Sequence, residues 1–390
     1  MDQIEEVLTR GVENVIPSKE VLEKVLRSGK KLNIYLGIDP TFPKIHLGHA
    51  VPLRKLKQLV ELEHNITFLI GDFTAFIGDT SDKNSERPAL TEKEITDNWQ
   101  TYKNQAEKIL DFSKVKVVRN SEWLDKVNFR DVIKFARQFS LNDFISRELI
   151  ANRLAEEKSV NLAEVLYPLA QGYDSFQLKT DLQIGGTEQI FNIQAGRTLI
   201  KNLDGRESYI LTLSTLEGTD GRKMSKSWGN AIWLDDDQNQ IFGKVMSLKD
   251  DLIMQYFILA TGVSTETIQE YENRLKSGEN PMNIKKILAK QIVDELYGPE
   301  PSEEAQEEFE KVVQKQETPS EIEEFEVEKG QTLDDVLALS GAVSSKSEAK
   351  RLIEQKAVDI DGETIIDSNY KDFKSGMVIK AGKRKFLKIK

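Results

Sequence analysis

Two imidazoles, His46 and His49 in the string His46-Leu47-Gly48-His49, and two ammonium groups, Lys223 and Lys226 in Lys223-Met224-Ser225-Lys226-Ser227, are the side chains of this chain best placed for chemistry. Only one other histidine, His64, occurs in the 390 residues, so two of the three share one short string. The i, i+3 spacing puts both on one helix face. At a helix start, unpaired N–H groups and the positive end of the dipole already favour phosphate. Two imidazoles there can donate to phosphate oxygens as charge builds in a transition state. Gly48 leaves room for a backbone or a nucleotide to come close. The lysine string is flanked by Gly218, Gly221 and Gly229, which predicts a loop able to change shape. Either string alone would pass for a pair of exposed histidines or a basic surface loop. Together, about 175 residues apart, they make a two-piece clamp for a nucleoside triphosphate whose β,γ-phosphates must leave. Thr41 adds a hydroxyl just ahead of the first string.

Elements of a particular kind must carry these groups. Residues 31–38 form a short apolar run of strand type, followed by the loop Asp39-Pro40-Thr41-Phe42-Pro43. From His46 to His64 the apolar residues Leu47, Val51, Leu53, Leu56, Leu59, Val60 and Leu62 recur at helical spacing. Residues 66–71 read as a second strand. Strand, loop, helix, strand is a βαβ unit and implies a parallel sheet. Further strands are expected at 115–118, 182–185 and 208–213, with helices from Asp131 and Asn161 in an insertion around 120–180. The fold class expected is α/β: a doubly wound parallel-sheet, Rossmann-type domain over residues 1–230. In such sheets ligands sit beyond the carboxyl ends of the strands, which is where Asp39 and Gly185-Gly186 fall. Residues 1–30 read as an amphipathic helix through Ile16, a turn at Pro17-Ser18, and a second helix. Residues 231–325 read as a helical domain ending in a Glu-rich linker, and 331–390 as a small α+β domain. In that last domain two helices precede a hairpin turning at Asp361-Gly362, and a pair of basic strands closes it.

Composition excludes several classes. With no cysteine there is no disulfide framework or thiolate metal site. No His-Glu-x-x-His string is present, so no protein-held metal is expected. The polar, acidic start lacks the pattern of a signal peptide, and no apolar run nears the roughly 20 residues of a membrane span. A soluble, cytoplasmic chain is expected. Net charge is −11, but its distribution is uneven. Residues 300–329 hold 12 glutamates against 3 lysines, whereas 371–390 hold 8 lysines and arginines against one aspartate. An acidic body with a basic tail suits contact with RNA through selected faces.

The two strings together resemble those of the class I aminoacyl-tRNA synthetases, and nearly the whole chain resembles the bacterial tyrosyl branch. The most specific stretch is Tyr167-Pro168-Leu169-Ala170-Gln171-Gly172-Tyr173-Asp174. The resemblance implies that Tyr167 and Gln171 hold the substrate α-amino group and that Asp174 accepts from its phenol. It implies further that Tyr35 contacts the phenol, that Asp79 meets the amino group, and that Gln189 lies near the substrate. Lys83 and Arg87 would act near the phosphates, with Thr41, His46, His49, Lys223 and Lys226. The ATP site would include Gly37, Asp39, Gly48, Gly186, Glu188, Met224 and Ser227. Glu188 stands where many members carry aspartate, and Ile190-Phe191 stands where Trp-Gly is often found. The implied reaction joins tyrosine to ATP, which arrives with Mg2+, and then passes tyrosine to tRNA. No side chain need act as a covalent nucleophile. Alternatives are a tryptophanyl-type enzyme and a synthetase-like RNA-binding protein that no longer aminoacylates.

The C-terminal stretch Ser344-Ser345-Lys346-Ser347-Glu348-Ala349-Lys350-Arg351-Leu352-Ile353, followed by Val358-Asp359-Ile360-Asp361-Gly362, resembles the small RNA-binding domain first seen in ribosomal protein S-four. Lys346, Lys350 and Arg351 would meet RNA phosphates in a salt-sensitive way. Residues 231–325 would then recognise the anticodon. The resemblance also implies a homodimer with tRNA crossing both subunits.

Overall fold

A computed structural model describes residues 2–79, 90–225, 228–314, 322–328, 330–382 and 385–390. The chain divides into two compact units, Met1–Pro299 and Glu300–Lys390.

The first unit is built on a six-stranded sheet. Its strands are β1 (Val12–Ile16), β2 (Asn33–Ile38), β3 (Asn65–Ile70), β4 (Lys116–Arg119), β5 (Leu182–Gly186) and β6 (Tyr209–Leu213), in the order β1-β6-β5-β2-β3-β4. β2 to β6 run parallel, as the βαβ pattern predicts, and β1 closes the edge antiparallel to β6. The order reverses between β2 and β5, so the crevice for a ligand opens beyond Ile38 and Gly186. The central strands read Ile-Tyr-Leu and Leu-Gln-Ile and are buried on both faces, because helices cover each side.

Two elements differ from the sequence expectation. Helix Gln3–Thr9 stops at Arg10, and Gly11, at φ +62°, turns the chain into β1 where continued helix was expected. Val12 to Ile16, little more than one helical turn in length, pairs with β6 along the sheet edge instead. The Glu-rich segment, expected as helix and linker, contributes a short strand, Glu323–Phe325, to the second unit. The remaining strands fall close to their expected places, as do helices Leu47–Glu61, Phe129–Ala136 and Leu162–Gln177.

Residues beyond β6 are mainly helical: Gln238–Met246, Ile253–Ala260, Thr265–Lys276 and Pro281–Tyr297. They pack in the same unit as the sheet. In the second unit β7 (Glu323–Phe325), β8 (Val358–Ile360), β9 (Glu363–Thr364), β10 (Val378–Ala381) and β11 (Lys385–Ile389) lie in the order β7-β11-β10-β8-β9. Asp361-Gly362 turns the β8–β9 hairpin, as expected. Helices Leu333–Leu339 and Lys346–Glu354 contribute Leu333, Val336, Leu337, Ala349 and Ile353 to its core, with Ile379, Leu387 and Ile389 from the strands. No described helix is long and apolar enough to cross a membrane.

Candidate active site

The crevice is organised from the end of β2. Asp39 follows that strand, and Thr41 donates its N–H to the Asp39 carbonyl at 2.7 Å. The Asp39 carboxylate accepts from Tyr167 Oη at 2.9 Å and from Thr74 Oγ1 at 2.7 Å. Gly71, after β3, makes this possible: a Cβ there would lie 2.0 Å from Asp39 Oδ1 and 2.4 Å from Thr74 Oγ1. Burial, and then the charges of Asp39 and Asp79, push the Tyr167 phenol well above its ordinary pKa.

Helix Leu162–Gln177 carries Tyr167, Gln171 and Asp174 at the spacing of one face, with Tyr167 and Asp174 buried. Gly172 lets it press on helix Ile190–Asp204, where a Cβ would meet the Ala195 and Gly196 backbone at 3.1 and 3.2 Å. Asp174 is 1 % exposed. Trp123 Nε1 donates to its Oδ1 at 2.7 Å and Asn120 Nδ2 to its Oδ2 at 3.1 Å. Burial nonetheless pushes its pKa up to about 8, against the pull of Trp123 and Asn120 and with the help of Asp39 and Asp72. Tyr35, fully enclosed in β2, bonds Ser175 Oγ at 2.9 Å, and Ser175 Oγ donates to Gln183 Oε1 at 2.8 Å. Burial and the nearby Asp174 charge raise the Tyr35 pKa. A further carboxylate, Asp79, whose charge also reaches the Tyr167 phenol, has its own partners. Gln189 Nε2 donates to Asp79 Oδ2 at 2.7 Å, and Asn192 Nδ2 to Gln189 Oε1 at 3.1 Å.

His46 caps helix Leu47–Glu61 with extended backbone, and its N–H donates to His49 Nδ1 at 3.2 Å. The two rings lie 3.9 Å apart. Burial, with the charges of His49 and Lys223 behind it, pushes the His46 imidazole down to about 2, so it is neutral at any working pH. The Lys223 charge is felt at His46, and Leu47 N–H donates to the Ile232 carbonyl, so the two strings, far apart in sequence, lie close together. The space beside Gly48, expected to admit a backbone or a nucleotide, is taken by the His46 ring, 3.0 Å from where a Cβ would stand. Gly37 has ordinary room for a Cβ, 3.5 Å from Leu69 and Tyr35, so close approach does not demand glycine there. At Gly186 a Cβ would meet the Glu188 carboxylate at 2.4 Å. Met224 is buried. Lys83, Arg87, Lys226 and Ser227 lie outside the described residues.

Sequence reasoning passed over Asn120, Trp123, Thr74, Ser175, Gln183 and Gly71. None of these belongs to a recognisable string. The one available signal is that Asn120 and Gly71 directly follow parallel strands, at the ligand end of the sheet.

In the second unit, Lys346 and Lys350 project from helix Lys346–Glu354 and are exposed, but neither stands clear of acid. Lys346 pairs with Asp335, Lys350 lies 3.6 Å from Asp334, and Arg351 lies 3.8 Å from Glu348. Among the described residues no group of three or more histidine and carboxylate side chains gathers as a metal site.

Comparison with known proteins shows the family. The family described as tRNA synthetases class I (W and Y) matches residues 27–314, and the S4 domain matches 331–371. A protein of Thermotoga maritima named Tyrosine--tRNA ligase is 43% identical over 386 residues, 98% of this chain and 96% of its own. One of the same name from Carboxydothermus hydrogenoformans is 44% identical over 398 residues, 98% of this chain and 97% of its own. Two solved structures share the fold. A tyrosyl-tRNA synthetase of Archaeoglobus fulgidus, complexed with L-tyrosine, has a TM-score of 0.62 and 24% identity, covering 78% of this chain and 100% of that one. A C-terminally truncated mitochondrial enzyme of Aspergillus nidulans has a TM-score of 0.65 and 21% identity, covering 78% and 92%.

Proposed function

The chain belongs to the tyrosine–tRNA ligases of the class I tRNA synthetases, and from that premise we propose how its side chains divide the work. It activates L-tyrosine with ATP to tyrosyl-adenylate and pyrophosphate, then transfers tyrosine to the terminal adenosine of tRNA. The observation that carries this is identity of 43% and 44% to tyrosine–tRNA ligases over 98% of the chain. A tryptophanyl enzyme and a non-catalytic relative are the alternatives that this disfavours.

In our reading Asp174 and Tyr35 receive the phenol, and Tyr167, Gln171, Asp79 and Gln189 hold the ammonium end. An analogue without the hydroxyl leaves buried groups unpaired, which costs about 1–3 kcal/mol per group. The tyrosine carboxylate attacks the α-phosphate in line; the bond to the β-phosphate breaks, and pyrophosphate departs with the electron pair. Catalysis is then orientation and charge stabilisation. Thr41 and neutral His46 donate to the departing oxygens, His49 holds the His46 backbone, and Lys223 supplies positive charge. Lys83, Arg87 and Lys226 take the phosphate roles of their motifs. Gly37, Asp39, Gly186, Glu188, Met224 and Ser227 border the nucleotide, which brings its own magnesium, and Gly48 takes part by seating the His46 ring.

Residues 1–230 carry the chemistry, 231–325 recognise the anticodon region, and 331–390 hold RNA through Lys346, Lys350 and Arg351. A cytoplasmic homodimer completes the proposal. Supporting it, Phe129, Ile133, Leu141, Leu154 and Leu162 of the helical insertion are 79, 48, 67, 46 and 70% exposed. The test of the activity is pyrophosphate exchange with each amino acid in turn. Exchange with tyrosine alone is expected, and exchange with tryptophan in place of tyrosine overturns the assignment. Sedimentation across a dilution series tests the dimer.

A further inference from the structure

One buried side chain at the root of the lysine loop has no part in the chemistry just described. Asn230 is 2 % exposed. Its Nδ2 donates to Asp220 Oδ1 at 2.8 Å and to the Lys223 carbonyl at 3.1 Å. Its Oδ1 accepts from the Ser225 N–H at 2.9 Å, and its own carbonyl accepts from the Thr219 N–H at 3.0 Å. One residue thus fixes the backbone on both sides of Met224.

The neighbours are shaped around it. A Cβ on Gly218 would fall 2.4 Å from Asn230 Nδ2 and 2.8 Å from the Asn230 carbonyl oxygen. Gly229, at φ +64°, turns the chain into Asn230. Asp220 is held ionised, first by Asn230 and then by Arg222, whose Nε reaches its Oδ2 at 2.7 Å. Arg222 in turn lies over the Trp228 ring, 4.4 Å from its centre.

The same segment continues to the histidine string. Leu47 N–H donates to the Ile232 carbonyl at 2.9 Å, and Leu234 N–H to the Ile45 carbonyl at 2.9 Å. These bonds bracket His46. Asn230 therefore stands two residues before a ladder that grips the histidine helix start, while its side chain grips the backbone of Lys223.

We infer that Asn230 is a positioning residue for pyrophosphate departure: it holds the backbone of Lys223 in register with His46, so that ammonium and imidazole address the same leaving group. Enclosed by the loop's own backbone, it acts through Lys223. Gly218 is its seat, and Asp220 is its anchor. The inference rests on the synthetase reading and adds to it the element that joins the two halves of the clamp.

The test is a set of variants in tyrosine-dependent pyrophosphate exchange. Asn230→Asp keeps the shape and the acceptor for Ser225 but loses both donors. Gly218→Ala leaves Asn230 intact and displaces it. Each is expected to lower the rate at saturating ATP and tyrosine by about tenfold or more, with the KM for tyrosine within about twofold of the parent. In a Lys223→Ala background, Asn230→Asp is expected to add less than about twofold, because residues acting as one unit are not additive. An unchanged rate in both variants, a full additional loss on top of Lys223→Ala, or an equal change in the tyrosine KM overturns the inference. An unaltered chain that exchanges with no amino acid, or with another one, refutes the synthetase reading instead.

Discussion

His46 and Asp174 are held against their ordinary charge states in opposite senses. The His46 imidazole is pushed down to about 2 and the Asp174 carboxyl up to about 8. For His46 the folded chain lacks a proton that the unfolded chain binds below about 6.5, so stability falls as pH drops through that value. For Asp174 the folded chain keeps a proton that the unfolded chain has lost above about 3.9, so stability falls as pH rises from there toward 8. Between these limits the two slopes oppose each other. Asp174→Asn is expected to be relatively more stable near pH 8 and to fall more steeply in acid. His46→Asn should show the reverse, each by at most about 1.4 kcal/mol per pH unit. Thermal melts across pH 4–8 check both signs, and identical profiles would refute them. In exchange assays, removal of one donor to the departing phosphates predicts that His46→Ala loses about 10²- to 10³-fold in rate, with tyrosine binding little changed. Asp174→Asn should raise the tyrosine KM by about tenfold or more. Tyr167, Gln171 and Asp174 were legible in the sequence through their resemblance to the tyrosyl branch; their i, i+4, i+7 spacing alone says only that they share one helix face. Their supports were not, because Trp123, Asn120 and Thr74 reach Asp174 and Asp39 from separate elements and share no period.

At the scale of elements, the helix that carries Tyr167, Gln171 and Asp174 is fastened by a buried ion pair. Arg153 NH1 lies 2.6 Å from Glu164 Oε2, both side chains 4 % exposed, and Arg153 NH2 also donates to the Ser159 carbonyl. Removing one partner strands the other charge, so Arg153→Ala is expected to cost about 3–5 kcal/mol in chemical denaturation. A loss below about 1 kcal/mol would mean the pair is solvated in solution. Arg10 does similar work between elements: it donates to the carbonyls of Phe257, Ile258, Thr261 and Val263, closing the end of helix Ile253–Ala260. Strong periodicity made the long helices and central strands readable. β1 and β7 were not, since five and three residues carry too little pattern, and each forms only because a distant strand offers an open edge.

At the scale of the whole molecule, the acidic body and basic tail were visible in composition, but the pairing of charges was not. Asp334 and Asp335 stand beside the lysines expected to meet RNA, so phosphate must compete with carboxylate for the same ammonium groups. Asp335→Asn is therefore expected to tighten tRNA binding at low salt. It should also steepen the dependence of log affinity on log salt, by up to about 0.9 for one further phosphate contact. Weaker binding would instead make the pair an organiser of the helix. Tyrosine-dependent exchange, which needs no tRNA, should not change.

The edge strand has a consequence in time. Val12 pairs with Leu213, so some 200 residues of chain separate the two sides of that ladder. During synthesis at about 5–20 residues per second, β1 waits roughly 10–40 s for its partner. Throughout that interval the nascent chain presents Val12, Val15 and Ile16 without the strand that will hold them. The window closes only when β6 has left the ribosome, which makes the last parallel strand the step that seals the sheet's antiparallel edge.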